Sequence, residues 1–216
     1  MIPCVVYLAV PFFSPALRVL WRANMRNAPA CTLEVFTHED VNAYMRENAS
    51  TSEYDAFDAL IPWAYKIDLW RTVIIWRQGG IYLDADTRLL KPVDKILDLS
   101  IDMVQIPKDR GPDCLWNGLF ASNKGNVHTK TITARIVHNI RSRSWGYEDS
   151  PKEPWLGITG PCTFGKALGS HYCAVGRMHT DGHHIGDFAK TEPSVKTVFS
   201  THYSELWRQR KIYKEQ

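Results

Sequence analysis

The chain has no C-x-x-C pair. Its five cysteines, Cys4, Cys31, Cys114, Cys162 and Cys173, are odd in number and widely spaced, which argues against a zinc ribbon or a redox dithiol and is met most simply by a reducing compartment. A long hydrophobic run is also missing. The longest nearly apolar stretch, residues 2–13, is interrupted by Pro3 and Pro11, is too short to span a bilayer and has no basic leader. We therefore expect a soluble, cytoplasmic protein with no membrane span. Charge of one sign is scarce: 26 Lys and Arg face 23 Asp and Glu, a net of +3, too slight for the basic stripe that binds nucleic acid. Internal repeats, low-complexity tracts and shifts of composition are absent, so residues 1–216 read as a single domain.

What is present is a globular profile of 216 residues, 44% hydrophobic and 12% aromatic. A chain of this length buries roughly 70% of its unfolded surface, so it can build a full core without disulfides or a structural metal as staples. Residues 2–10 are uncharged and rich in Val, Ile and Tyr, the pattern of a central parallel strand buried on both faces. Ser14-Pro15 supplies an N-cap and an N1 proline, and Leu17, Leu20, Trp21, Asn24 and Met25 follow at helical spacing. Residues 31–36 alternate as a second strand, and Thr37 to Asp40 has capping-box form for a helix to about Arg46. This β-α-β-α order predicts a parallel α/β sheet.

Residues 50–58 read as a polar linker or short helix. Residues 63–78 carry Ile67, Trp70, Arg71, Ile74 and Ile75 at helical spacing and end at Gly79-Gly80, a C-cap and a tight turn into the next strand. That strand, Ile81-Tyr82-Leu83, with Tyr82 and Leu83 expected in the core, runs into Asp84-Ala85-Asp86. Further strands are expected at 101–106 and 115–121, a helix at 127–141, a loop at 142–154 and a turn with a short helix at 159–168.

Two carboxylates two residues apart make a weak motif by themselves. Placed at the C-terminal edge of a buried strand, where open α/β sheets bind ligands, they form a hard-oxygen site suited to Mn²⁺ or Mg²⁺.

The segments 64–71 (AYKIDLWR) and 79–86 (GGIYLDAD) together resemble the signature of GT-A glycosyltransferases with a DxD sugar-binding region. That group includes yeast initiating mannosyltransferases, capsular-polysaccharide transferases and, remotely, clostridial glucosylating toxins. Asn117 to Ser122, Gly160-Pro161, and His202 with Trp207 follow in the family's order. As a small free-standing domain the chain also looks like transferases encoded by large algal viruses, which would place it in a host cytoplasm.

The resemblance implies a GT-A (Rossmann-like) fold, a mixed, mostly parallel sheet flanked by helices. It also implies transfer of a hexose or deoxyhexose from a nucleoside-diphosphate sugar, UDP favoured, to a glycan acceptor. Asp84, Asp86 and His202 would hold the metal. Asp68 and Arg71 would meet donor-sugar hydroxyls and phosphate, Asn117 a donor or acceptor sugar, and Trp207 the diphosphate or sugar; the C-terminal segment would then cover the site. Ala9 and Val10 would approach base and ribose through backbone groups. Asp113 is the nearest candidate for a carboxylate that activates the acceptor, and the DxD relatives favour retention of configuration.

Bland readings stand beside these. Asp68 and Arg71 also fit an i,i+3 ion pair on a helix surface, His202 a surface imidazole, Trp207 a helix-packing side chain and Asn117 a loop cap. Two rival functions are open: a metal-dependent hydrolase using His179, Asp181, His183, His184 and Asp187, and a non-catalytic sugar-binding module, with Trp145, Tyr147 and Trp155 as stacking candidates.

Overall fold

The computed structural model describes residues 1–192 and 203–215. Its main sheet has the order β2-β1-β3-β6-β5-β7. These strands are β1 (Val5–Ala9), β2 (Thr32–Phe36), β3 (Gly80–Leu83), β5 (Gln105–Lys108), β6 (Leu119–Ser122) and β7 (Cys173–Arg177). β6 runs against the other five, and the pairs β1–β2, β1–β3 and β5–β7 are parallel. A small antiparallel sheet joins β4 (Thr87–Leu89), β9 (Ala189–Thr191) and β8 (His184–Ile185).

Strand alternation divides the core into two layers. Tyr7, Ala9, Tyr82 and Phe120 face one cluster with α2 (His38–Asn48), α3 (Thr51–Ala59), α4 (Trp63–Gln78), α5 (Val127–Arg141), α6 (Pro161–Leu168) and α7 (Tyr203–Arg208). Val6, Leu8, Ile81, Leu83, Leu119 and Ala121 face the other, with α1 (Pro15–Arg26) and the small sheet. Successive strand side chains point to opposite faces, so β1, β3 and β6 are buried on both sides, as expected of the centre of an α/β sheet.

Local chemistry sets the helix starts. Ser14 caps α1 ahead of Pro15, and Thr37 with Asp40 closes a capping box on α2. A second capping box, Ser50 with Glu53, makes residues 51–59 a true helix, settling the choice between linker and helix. α4 is buried around its whole circumference, with every side chain from Ile67 to Ile75 enclosed.

At Gly79 and Gly80 (φ 71° and 111°) the chain reverses, and a Cβ on Gly80 would lie 2.8 Å from the Tyr7 ring and 2.9 Å from the Val5 carbonyl. Only glycine fits such a position without strain. The reversal lays α4 back along β3. From Gly79 back to Arg71 the helix rises about 12 Å, and from Gly80 forward to Asp84 the strand advances about 13 Å. Arg71 and Asp84 thus arrive level at the sheet's edge.

Several expectations change. The strand foreseen at 101–106 is β5, because residues 101–103 form a bend, and the one foreseen at 115–121 begins only at Leu119, after a turn at Asn117-Gly118. The small sheet was not foreseen; its strands of two or three residues are too short for periodicity to register. The cysteines are not all reduced: Cys4 is bonded to Cys31 and Cys114 to Cys162, leaving Cys173 free. Sequence spacing could not show this, since the partners are 27 and 48 residues apart. Disulfides persist in oxidising surroundings, so the cysteines no longer argue for a reducing compartment. Among the described residues no helix is long and apolar enough to cross a membrane.

Candidate active site

The Asp84-Ala85-Asp86 turn is held mostly by main-chain contacts. The Asp84 N–H donates to the Gly118 carbonyl at 2.7 Å and the Thr87 N–H to the Asp84 carbonyl at 2.9 Å. From α1, the Trp21 indole donates to the Ala85 carbonyl at 3.2 Å. Asn24 donates to the Thr87 carbonyl at 2.7 Å and accepts from the Leu89 N–H at 2.9 Å. On the far side the Glu192 N–H donates to the Asp86 carbonyl at 2.8 Å.

Residues two apart on a strand share a face, which places Asp84 beside Tyr82 on the α4 side. The Tyr82 hydroxyl donates to Asp84 Oδ1 at 2.7 Å, and Arg71 Nη2 lies 3.3 Å from the same oxygen. The Arg71 guanidinium also sits 4.1 Å above the Tyr82 ring, a cation–π contact. Its remaining reach is taken by protein: Nη2 to Asp68 Oδ1 at 3.2 Å, Nη1 to the Asn117 carbonyl at 2.6 Å and Nε to the Ile67 carbonyl at 3.4 Å. Asp68 accepts from the Asn117 amide on Oδ1 at 2.8 Å and from the Thr159 hydroxyl on Oδ2 at 2.7 Å.

Asp68 and Arg71 are 8% and 5% exposed, which removes the reading as a surface ion pair. Burial first of all pushes the Asp68 carboxyl up to about 6, with the Asp84 charge adding to it, while Arg71, Thr159 and Asn117 pull it back. For Arg71 burial disfavours the charge, but Tyr82, Asp84, Asp68 and Asp86 outweigh it and hold the group above its ordinary value. The Tyr82 phenol is raised, chiefly by burial. Three carboxylates face one guanidinium, so this edge carries excess negative charge that a divalent cation would offset.

The donor set suits such an ion. Asp84 Oδ2 has no hydrogen bond among the described residues, and its side chain is 32% exposed. Beside it stands Gly118, where a Cβ would come within 2.5 Å of that oxygen. Asp86 is partly exposed in the same turn. Hard oxygens of this kind fit Mn²⁺ or Mg²⁺. Among the described residues no three His, Cys, Asp or Glu side chains form a complete cage, and His202 lies outside the described residues.

The other expected residues are more scattered. Ala9 ends β1 at the same edge of the sheet and Val10 follows it, both buried. Asp113 is exposed in the loop before Cys114, and no described contact links it to the Asp68 cluster. Trp207 is buried, its indole donating to the Trp145 carbonyl at 3.1 Å and its rings meeting Trp145, Tyr147 and Trp155 edge-on. This is the geometry of a helix-packing side chain, and it engages the three stacking candidates as well. α7 nonetheless returns to the site: Tyr203 lies 5.5 Å from Tyr65, and its phenol is raised by burial and by the nearby Asp68.

In the rival cluster, Asp181 accepts from the His183 and His184 N–H groups and from His184 Nδ1, while Asp187 pairs with Lys91. Its acids are engaged in a turn and an ion pair at the surface.

Sequence reasoning missed Thr159, the Tyr82 hydroxyl and the carbonyls of Asn117 and Gly118. Tyr82 carried a signal, since a tyrosine within a buried strand must find a partner for its hydroxyl. Thr159 carried only its place before Gly160-Pro161.

Fold and site together are similar to those of GT-A-type glycosyltransferases with a DxD region. The family model described as "Glycosyltransferase sugar-binding region containing DXD motif" matches residues 18–101, the span that holds Asp68, Arg71, Asp84 and Asp86. The fold is shared with the solved structure titled "PaToxG Glycosyltransferase", at a TM-score of 0.56 and 15% identity over 77% of this chain and 69% of that one. A second, "Crystal structure of the UDP-bound glycosyltransferase domain from the YGT toxin", aligns at a TM-score of 0.41 and 12% identity, covering 71% of this chain and 52% of the other, too slight a likeness to argue from. No curated protein sequence matches the chain.

Proposed function

We propose that the chain transfers a hexose or deoxyhexose from a nucleoside-diphosphate sugar, with UDP favoured, to a hydroxyl of a glycan acceptor. The observation that carries this reading is the meeting of Asp68, Arg71 and Asp84, from α4 and the end of β3, at the edge where α/β sheets bind ligands.

Asp84 and Asp86, with His202 from the C-terminal segment, would hold Mn²⁺ or Mg²⁺. Such an ion supplies Lewis-acid stabilisation of the departing diphosphate. Asp68, fixed by Asn117 and Thr159, accepts hydrogen bonds from donor-sugar hydroxyls. Arg71 acts through the carboxylates it holds, since its fork is engaged by Asp68, Asp84 and the Asn117 carbonyl. The end of β1 at Ala9 and Val10 lets the nucleotide approach backbone groups, and Trp207 seats the helix that closes on the site.

Retention is favoured because no described contact ties Asp113, the nearest candidate base, to the cluster. In a same-face reaction the bond from the anomeric carbon to the diphosphate oxygen breaks, the bond to the acceptor oxygen forms, and the acceptor proton passes to the leaving phosphate.

The test is binding and slow hydrolysis of UDP-, GDP- and TDP-sugars with Mn²⁺, Mg²⁺ or EDTA. One donor should be consumed in a metal-dependent way. Asp86→Ala should reduce that turnover by about two orders of magnitude or more, a barrier change of roughly 3 kcal/mol, with the unfolding midpoint little changed. Consumption of no donor, or full activity in the variant, would refute the assignment.

A further inference from the structure

The Cys114–Cys162 disulfide closes a loop of sequence separation 48, and its position relative to Asp68 is specific. Asn117 lies three residues after Cys114 and Thr159 three residues before Cys162; these two side chains hold the two oxygens of Asp68, at 2.8 and 2.7 Å. Both stand in irregular chain, a turn and a bend, outside the strand ladders. Next to the crosslink a single backbone bond, Leu115 N–H to the Pro161 carbonyl at 3.0 Å, ties the two loops together. The other disulfide differs. Cys4 and Cys31 sit at the starts of β1 and β2, strands already joined over five residue pairs.

We propose that Cys114 and Cys162 are positioning residues for the donor site: their disulfide keeps the Asn117 and Thr159 loops closed on Asp68, so that donor affinity depends on the oxidised state. The proposal rests on the glycosyltransferase reading. The switching step is thiol–disulfide exchange with a dithiol, of which dithiothreitol is one. The dithiol supplies two electrons and two protons, the S–S bond breaks to two thiols, and the dithiol becomes a disulfide. Cys114 is partly exposed and Cys162 buried, so the dithiol attacks at the Cys114 sulfur.

The experiment uses Cys4→Ser/Cys31→Ser protein, oxidised or treated with dithiothreitol, with non-reducing peptide mapping to record the state of Cys114 and Cys162. Donor Kd and KM should rise about tenfold on reduction, as expected for loosened hydrogen bonds to a charged group. kcat should change less, and reoxidation should restore the starting values. Cys114→Ser/Cys162→Ser should show the raised KM in either condition. Should the first variant not fold, stepwise reduction of the wild type under the same mapping gives the comparison. Donor binding indifferent to the mapped disulfide refutes this proposal alone, whereas no donor binding by oxidised wild type refutes the transferase reading and this proposal together.

Discussion

Two regions of this molecule gather side chains that bind metals and sugars, and they are built in opposite ways. The loop 179–187 is the denser in sequence, with three histidines and two aspartates within nine residues. All come from one stretch of surface chain, and Asp181 satisfies the turn it belongs to while Asp187 pairs with Lys91. The Asp68–Arg71–Asp84 cluster is sparse in sequence, yet it converges from α4, the end of β3 and two loops, is largely buried, and among the described residues leaves one oxygen of Asp84 without a hydrogen bond. A site is marked by convergence from separate elements with charge left over, more than by the density of ligand-type residues.

Arg71→Ala gives the strongest test of that contrast. It strands Asp68 as an unpaired buried charge, so unfolding stability should fall by about 3 kcal/mol or more, with donor turnover lost. Arg71→Lys keeps the charge but not the fork that spans Asp68, Asp84 and the Asn117 carbonyl. Its kcat/KM for the donor should fall about tenfold, roughly 1.4 kcal/mol; unchanged kinetics would make Arg71 a packing residue.

A smaller effect concerns pH. The proposed Asp68 role requires the ionised form, so kcat/KM should climb with pH and level off above about 6, and Asp68→Asn should abolish that limb. Stability should run the other way. The folded carboxyl, at about 6 against its ordinary 3.8, binds more protons than the unfolded one across that interval. Its contribution to stability therefore falls as pH rises from roughly 4 to 6. Denaturant titration of wild type and Asp68→Asn at both ends of the interval checks the sign. The smallest effect belongs to the other region: His184→Ala should leave metal dependence and turnover as they are, and a loss of either would revive the hydrolase reading.

The order β1-α1-β2-α2, and α4 with its glycine exit, were legible in the sequence because caps, breakers and periodicity are local. Asp68, Arg71, Asp84 and Asp86 were legible because they recur at one spacing in a recognisable pattern. Thr159 was not, since its partner lies 91 residues away and nothing local distinguishes a threonine that holds a carboxylate from one that ends a loop. The disulfides failed for the same reason of distance. The small sheet failed because two- and three-residue strands owe their pairing to tertiary contacts.

Asn24 makes α1 more than a cover for the sheet. Its amide donates to Thr87 and accepts from Leu89, so a side chain of the helix fills a place in β4's own bonding row. Trp21, one turn earlier, grips Ala85. Helix and acidic turn are thereby geared together like two parts on one shaft. A ligand that shifts the turn at Asp86 should pull on the Trp21 and Asn24 bonds to it, and a change in the exchange rate of the Leu89 amide on adding the ligand is the measurement that reads this coupling.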